Sequence, residues 1–271
     1  MTGDMREATS KKESDTVNMK DNWNAMAEAY ENFTNRADSY SMAIEKPAIL
    51  SLLPDLGGKT VLDLGCGTGR YGFILEELGA RRVIGIDQSD TMLQLADKQK
   101  SKRQSSVDFI LGDAQNLEGL ASGSIDLVFS STLLHFIEDL TLVMEEVHRV
   151  LKPGGQVVLS LIHPVYSAQY PVKRDHGQFP EDDQWTVRYL DKGKRAYVQP
   201  WIEYNDALED FLTESYHHTF SDYCSAFIAS RFTISSVLEP QGDPDWCSKF
   251  PRAAEAFKNI PTYCVFRLEK K

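Results

Sequence analysis

Short apolar runs alternate with helix-periodic stretches through the middle of the chain. The runs are rich in β-branched residues and predict five strands, at 60–64, 82–87, 107–111, 125–130 and 156–162. The stretches between them carry apolar residues at helical spacing. Strands that alternate with helices are typical of right-handed βαβ units around a parallel sheet. The pattern therefore predicts an α/β fold in which helices flank a central, mostly parallel sheet.

The chain ahead of the first predicted strand has a polar part and a helical part. Residues 1–18 contain no aromatic residue, and such a segment buries too little apolar surface to become ordered. From Trp23 to Leu53 the apolar residues follow helical periodicity. We therefore expect a disordered tail followed by two helices.

The alternation breaks after the fifth predicted strand. The segment from His163 to about Asn205 is interrupted by prolines, and the aromatic residues interleaved with them include Trp185, Tyr189, Tyr197 and Trp201. This composition predicts an inserted cap, whose aromatic residues either cover the edge of the sheet or line a substrate pocket. Further along, the pattern predicts a strand at 209–219, a helix at 221–230 and strands at 233–238 and 263–268.

Composition and charge limit the partners of the protein. With 271 residues, 42% of them hydrophobic, the chain can form one main domain. The 29 basic and 40 acidic residues give a net charge of −11, which disfavours nucleic acid as a partner. The four cysteines include no C-x-x-C pair, so they indicate neither a zinc site nor a disulfide framework and fit a cytoplasmic location. No apolar run approaches the ~20 residues of a membrane span, so we expect no membrane association.

A glycine-rich turn carries the first indication of chemistry. In VLDLGCGTGR, residues 61–70, a buried strand runs into this turn and then into a helix. Gly65, Gly67 and Gly69 let the backbone approach a ligand that a Cβ atom would push away. Asp87 lies 22 residues after Gly65, at the end of the second predicted strand, where a carboxylate can bind a ribose diol. The combination predicts a cofactor that contains a nucleoside.

Residues 61–70 also help to distinguish between possible nucleoside cofactors. The glycines have the spacing G-x-G-x-G and not the G-x-G-x-x-G of dinucleotide sites. Asp63 lies two residues before the first glycine, where a carboxylate suits a cationic ligand better than a pyrophosphate. S-adenosylmethionine (SAM) carries a sulfonium and an ammonium and no phosphate, so the residues favour it. An NAD-linked oxidoreductase and a non-catalytic SAM-binding protein remain alternatives.

Five motifs in order give the chain a family resemblance. They are VLDLGCGTGR, VIGIDQSDTML, FILGDAQNL, IDLVFSSTLLHFIED and VLKPGG. With them, residues 23–162 resemble the class I SAM-dependent methyltransferases, particularly the small-molecule, ubiquinone-biosynthesis-like branch (methyltransferase type 11). The resemblance implies a Rossmann-like fold, SAM as the cofactor and methyl transfer to an O or N atom of a small-molecule acceptor. The predicted organisation is a disordered tail (1–18), N-terminal helices that cover the cofactor site (19–57), a SAM-binding core (58–162), a cap for the substrate (163–219) and a C-terminal completion of the sheet (220–271).

The resemblance also implies which residues hold the cofactor. The first glycines of the turn would contact its methionine part, Asp87 its ribose, and residues after the second and third strands its adenosine. Tyr30 would reach over the cofactor, although packing within its helix is an alternative for this residue. The predicted cofactor-binding residues are Tyr30, Asp63, Gly65, Cys66, Gly67, Gly69, Asp87, Gln88, Met92, Asp113, Ala114 and Ser130.

Three histidines are candidates for a catalytic base. Methyl transfer from a sulfonium is an in-line displacement that needs mainly alignment, but a hydroxyl acceptor would also have to lose a proton, and histidine can take it. His163 ranks first because it follows the fifth strand at the carboxyl edge of the sheet; His217 ranks second and His135 third. For each, a structural hydrogen bond at a turn or strand end is the alternative. No cluster with ligand spacing predicts a metal, and both a monomer and a homodimer are compatible with the sequence.

Overall fold

The computed structural model describes residues 18–169, 187–198, 212–251, 254–255 and 258–271. Residues 1–17 of the predicted tail, and 170–186 and 199–211 of the predicted cap, lie outside the described residues. Within the described ranges, no helix combines the length and the apolar content needed to cross a membrane.

The described residues contain nine strands in two sheets. Their bounds are β1 Thr60–Leu64, β2 Arg82–Asp87, β3 Asp108–Leu111, β4 Ile125–Ser131, β5 Leu151–Ile162, β6 Gly193–Val198, β7 Leu212–His217, β8 Phe232–Leu238 and β9 Tyr263–Lys270. The larger sheet has the order β3-β2-β1-β4-β5-β9-β8. Strands β1 to β5 are parallel, and β9 is antiparallel to both of its neighbours. This order confirms the predicted Rossmann-like, mostly parallel sheet.

Helices lie between these strands and ahead of them. Their bounds are α1 Met19–Thr34, α2 Lys46–Ser51, α3 Arg70–Glu77, α4 Asp90–Arg103, α5 Leu140–Val150, α6 Pro164–Ser167, α7 Phe220–Ala229 and α8 Pro244–Lys249, with a π-helix at Ser41–Glu45 and a 3₁₀ turn at Leu134–Phe136. Several begin at residues suited to satisfy free amides. Ser89 caps α4, Asp139 caps α5, and Thr219 forms a capping box at α7.

The core has two apolar layers, one on each face of the larger sheet. Val61 of β1 packs in the layer that contains residues of α2 and α3, whereas Leu62 packs in the layer that contains residues of α5 and α7. All five residues of β1 are buried, as expected for a parallel strand with helices on both faces. The chain leaves this covered strand at its carboxyl end, so the turn after β1 opens at one edge of the sheet.

Strand β5 begins earlier than the sequence predicts. Leu151 already pairs with Ile125, and the register then shifts before Gln156 pairs with Leu127. Gly154 lies between these pairs at a φ of +72°, which a glycine adopts without strain. The predicted start at 156 was wrong because the glycine turn is carried inside the strand as an irregularity.

A second, two-stranded sheet lies in the part of 163–219 that the structure describes. Strands β6 and β7 pair antiparallel, from Gly193 with His217 onwards. The sequence did not predict β6. Of the strand predicted at 209–219, residues 212–217 form β7, residues 218–219 lie beyond its end, and residues 209–211 lie outside the described residues. Thr213 of β7 contacts the Sδ atom of Met26 in α1 at 3.6 Å. The small sheet therefore packs against the first helix.

Candidate active site

A cavity of about 340 Å³ lies at the carboxyl edge of the parallel strands. The turn after β1, the ends of β2 and β3 and the end of β4 contribute to its wall, and α1 and the π-helix contribute the opposite side. Open α/β sheets bind ligands at this edge, in pockets of roughly 300–1,000 Å³. The cavity is therefore the candidate site.

The structure brings most of the predicted cofactor residues to this wall. Those that line the cavity are Tyr30, Gly65, Gly67, Asp87, Gln88, Met92, Asp113 and Ala114. Those that do not line it are Asp63, Cys66, Gly69 and Ser130. Direct contact between these four and a cofactor is not supported by this geometry.

Asp87 and the glycine turn are held in a fixed relation. The amide of Gly67 donates to Oδ2 of Asp87 at 2.8 Å, and the amide of Ser89 donates to Oδ1 at 2.9 Å. Each carboxylate oxygen retains a lone pair for a further donor. Burial raises the pKa of Asp87, and these amides act against that rise. The carboxylate is thus oriented by the backbone to accept hydrogen bonds from a ligand.

Asp63 lies beneath the turn instead of on the cavity wall. Its side chain is directed at the start of α3, where a Cβ atom on Gly72 would come within 3.6 Å of its Oδ2. The residue is 1% exposed, and Oδ2 has no hydrogen-bond partner among the described residues. Burial raises the pKa of Asp63 to about 7, and the charge of Asp87 acts in the same direction. A position two residues before the first glycine therefore does not place this carboxylate in the cavity.

The other three residues behind the wall have packing or tethering roles. A Cβ atom on Gly69 would lie 2.5 Å from the ring of Phe109, so the glycine allows the turn to pack on β3. Cys66 is buried, which raises the pKa of its thiol well above the usual value. Ser130 donates to the carbonyl oxygen of Leu64 at 2.9 Å and ties β4 to β1.

His163 and His217, the first two candidates for a base, do not line the cavity. Nδ1 of His163 accepts from the amide of Val165 and caps α6, and its Nε2 lies 2.8 Å from Oε1 of Glu239. Nδ1 of His217 bonds the hydroxyl of Ser167 at 2.8 Å, and its Nε2 bonds a backbone carbonyl oxygen. Burial lowers the pKa of His217. Both rings are occupied by structural hydrogen bonds.

His135, ranked third, does line the cavity. It lies in the 3₁₀ turn after β4 and is 5% exposed. Burial lowers its pKa to about 3, with a smaller contribution from His218. Its Nδ1 has no hydrogen-bond partner among the described residues. His135 therefore contributes a neutral ring, with one buried and unpaired nitrogen, to the lining of the cavity.

Glu45, which the sequence analysis missed, lies at the same wall. It ends the π-helix and is 1% exposed. Its Oε1 accepts from the hydroxyls of Ser131 and Ser160, each at 2.6 Å, and its Oε2 accepts from the hydroxyl of Tyr71 at 3.2 Å. Burial raises the pKa of Glu45, while these hydroxyls and the charge of Arg70 act against the rise. The signal in the sequence was a lone carboxylate within an apolar, helix-periodic run.

Aromatic side chains form a large part of the remaining wall. They are Trp23, Phe33, Tyr40, Tyr71, Phe136, Tyr166, Tyr197 and Tyr263. The rings of Trp23 and Phe136 meet edge to face with centroids 5.2 Å apart. Among the cap residues singled out in the sequence, Tyr197 lines the cavity, whereas the hydroxyl of Tyr189 accepts from the amide of Phe220 and packs elsewhere. Trp185 and Trp201 lie outside the described residues.

The cavity wall fits the cofactor that the motifs imply. Gly67 has a φ of +53°, and a Cβ atom there would meet no neighbour within 4 Å, so the glycine leaves space that a larger residue would fill. Asp87 offers acceptors for a diol, while Asp113 and Ala114 supply a further wall beyond the end of β3. A nucleoside with an uncharged or cationic substituent matches these groups.

Comparison with known proteins agrees with this fit. Residues 62–159 match the family described as a methyltransferase domain. An uncharacterized protein of Haemophilus influenzae is 32% identical over 230 residues, which cover 82% of this chain and 87% of that protein. The demethylmenaquinone methyltransferase of Lactococcus lactis is 41% identical over 114 residues. That match covers 41% of this chain, and the chain spans just under half of that enzyme, 45% of its length.

A solved structure extends the likeness to the whole fold. The SAM-dependent methyltransferase of Mesorhizobium loti is 29% identical, with a TM-score of 0.67 over 88% of this chain and 100% of that one. Its similarity, the strand order and the matched motifs all lead to the same family. The chain belongs to the class I SAM-dependent methyltransferases, and its cofactor is SAM.

Proposed function

We propose that this methyltransferase transfers a methyl group to an O or N atom of a small-molecule acceptor bound at the aromatic part of the cavity. The observation that carries the proposal is the continuity of one cavity, which joins Asp87 and Gly67 to the rings of Trp23 and Phe136. When bound, SAM supplies a methyl group on a sulfonium, which an acceptor atom attacks in line. In this proposal residues 58–162 bind the cofactor, residues 19–57 cover the cofactor site, and residues 163–219 form the cap for the substrate.

The aromatic wall supports this assignment through alignment and exclusion of water. An in-line displacement depends on holding the acceptor atom in a narrow range of positions. Rings such as those of Trp23 and Phe136 give a rigid apolar surface on which a planar or apolar acceptor stacks. The same rings exclude water, which otherwise competes for the space next to the cofactor.

His135 is proposed to orient the acceptor. With a pKa of about 3 the ring is neutral at pH 7, so its nitrogen accepts a hydrogen bond from an O–H or N–H group. A base with such a low pKa is poorly matched to storing a proton at neutral pH. We therefore propose that His135 does not take the acceptor's proton but holds the acceptor in position.

The charges of the wall favour an acceptor without several negative charges. Among the lining residues that the structure describes, Arg70 carries a full positive charge, while Glu45, Asp87 and Asp113 are acidic. Together with the net charge of −11, this disfavours a nucleic acid acceptor. A cytoplasmic location, and a monomer or homodimer, stay predictions.

A panel of acceptors tests the proposal. Purified protein is incubated with methyl-labelled SAM and with aromatic acceptors that share one scaffold and carry a hydroxyl, an amine, a carboxylate or only C–H groups. We expect labelled product and S-adenosylhomocysteine (SAH) with O or N acceptors, and neither with the C–H compound. Binding of SAM without turnover on any acceptor would support a non-catalytic SAM-binding protein and contradict the proposal.

A further inference from the structure

Two opposite charges face the same part of the cavity without touching. Glu45 and Arg70 both line it, and the charge of Arg70 lowers the pKa of Glu45. No N···O distance between them falls within the 4.0 Å of an ion pair. Nη1 of Arg70 lies 3.0 Å from Sδ of Met42, which belongs to the same π-helix as Glu45. The cavity therefore has a gap with a carboxylate on one side and a guanidinium on the other.

The carboxylate side of the gap is held in place by hydroxyls. Ser131 and Ser160, from the ends of β4 and β5, donate to the same oxygen of Glu45, and Tyr71 donates to the other oxygen. π-Helical turns are rare and often occur at functional sites, and here the turn presents Glu45. A carboxylate oxygen accepts two hydrogen bonds, so the oxygen that faces Tyr71 has room for another donor.

The guanidinium side lacks a carboxylate or carbonyl partner in the part of the chain that the structure describes. Nε of Arg70 is buried without a hydrogen-bond partner, and its Nη1 lies 3.0 Å from the thioether sulfur of Met42, a weak acceptor. Buried donors are usually satisfied, and charged ones cost most when they are not. The arrangement leaves Arg70 able to take an anionic group.

The gap lies beside the glycine turn. Ser130 donates to the carbonyl oxygen of Leu64, the residue before Gly65, and the next residue, Ser131, donates to Glu45. The end of β4 therefore connects the start of the turn to this carboxylate. By the family resemblance, the same turn contacts the methionine part of SAM.

We propose that Glu45 and Arg70 hold the α-amino-acid end of SAM, with the ammonium at Glu45 and the carboxylate at Arg70. The ammonium and the carboxylate of an amino acid are attached to one carbon. They therefore match a carboxylate and a guanidinium that face one cavity without contacting each other. Asp63, the carboxylate that the sequence suggested for the cation, lies behind the wall. The inference rests on SAM as the cofactor, as the proposed function does, and is independent of the acceptor.

Three ligands separate the two contacts. SAH keeps both charges, its decarboxylated analogue keeps the ammonium alone, and 5′-methylthioadenosine lacks the amino-acid end. Calorimetric titration of each into the wild type, Glu45→Gln and Arg70→Gln measures the contribution of each side chain. Glu76→Gln is the matched control, because this carboxylate is only half-buried, bonds Ser106 and does not line the cavity.

We expect Glu45→Gln to weaken SAH and the decarboxylated analogue by about tenfold or more, and to leave 5′-methylthioadenosine unchanged. Arg70→Gln is expected to weaken SAH alone by a similar factor, and Glu76→Gln to change nothing. Unchanged binding of SAH in either cavity variant would overturn the proposal, as would an equal loss for all three ligands. If Glu45→Gln does not fold, Arg70→Gln still tests the pair.

A further variant tests the competing carboxylate. If Asp63→Asn, rather than Glu45→Gln, removes the preference for SAH over 5′-methylthioadenosine, the assignment to Glu45 is wrong. These titrations measure binding without an acceptor. Failure to find an acceptor would therefore count against the proposed function and leave this inference standing.

Discussion

The amide of Gly67 donates to Oδ2 of Asp87 at 2.8 Å, and this bond joins the turn after β1 to the end of β2. The two segments are thereby held as one surface, with a carboxylate and an open glycine side by side on the cavity wall. A ligand with a diol next to a compact substituent can place the diol at Asp87 and the substituent at Gly67.

The carboxylate of Asp87 should be needed for cofactor binding. We expect Asp87→Ala to weaken SAH binding by about ten- to hundredfold, because charged acceptors of hydrogen bonds contribute most to such contacts. Titration calorimetry measures the change. Asp108→Ala is the control, since that carboxylate is exposed and pairs with Arg82. Wild-type affinity in a folded Asp87→Ala variant would contradict the ribose assignment.

Gly69 should be needed for packing of the turn. Its backbone has a φ of +81°, which strains any residue other than glycine, and a Cβ atom there would lie 2.5 Å from the ring of Phe109. We expect Gly69→Ala to lower the free energy of unfolding by about 2–5 kcal/mol, the sum of backbone strain and overpacking. Gly58→Ala, with a φ of +73° in open space, isolates the strain and should cost about 1–2 kcal/mol. Equal losses of unfolding free energy in the two variants, measured by denaturant titration, would show that a Cβ atom at position 69 does not clash with Phe109.

His135 should make stability depend on pH. Its pKa falls from 6.5 when unfolded to about 3 when folded, so the unfolded chain binds the extra proton as the pH drops below 6.5. His135 therefore does not lower the free energy of unfolding above pH 6.5, and it lowers that free energy progressively as the pH falls from 6.5 towards 3. At pH 5 the reduction is about 2 kcal/mol. His135→Gln should flatten the pH dependence of the unfolding free energy between 6.5 and 5, and an unchanged slope would refute the burial of a neutral ring.

His163 should matter for stability and not for turnover. Replacement by Ala removes the cap on α6 and the bond to Glu239, which we expect to cost about 1–2 kcal/mol. Because His163 does not line the cavity, kcat should be unchanged, whereas His135→Gln should lower kcat/KM for acceptors with an O–H or N–H group. A large loss of kcat in His163→Ala, with wild-type stability, would restore its catalytic assignment.

The sheet could be predicted because its strands are marked by local sequence. Strand β1, TVLDL, is a mostly apolar run that Gly65 follows, and Asp87 ends the next such run. A carboxylate at the end of β2 reaches the edge next to the turn in any parallel arrangement of these strands. Strand β6, GKRAYV, carries no such run, and its pairing with β7 depends on residues that follow it at a distance.

The side chains around the cavity were harder to predict, because their directions depend on distant partners. His163 is bound by Glu239, which lies 76 residues further along the chain. Glu45 is directed inwards by a π-helix, whose register departs from the 3.6-residue period used to assign faces. The same limitation affects Asp63, which faces the start of α3 instead of the ligand side.

The cavity beside Asp87 should bind SAM for methyl transfer. Titration of the purified protein with SAM, SAH and NADH in one buffer measures this binding. We expect saturable binding of SAM and SAH and no binding of NADH. Preference for NADH, or failure of SAM and SAH to bind, would contradict it.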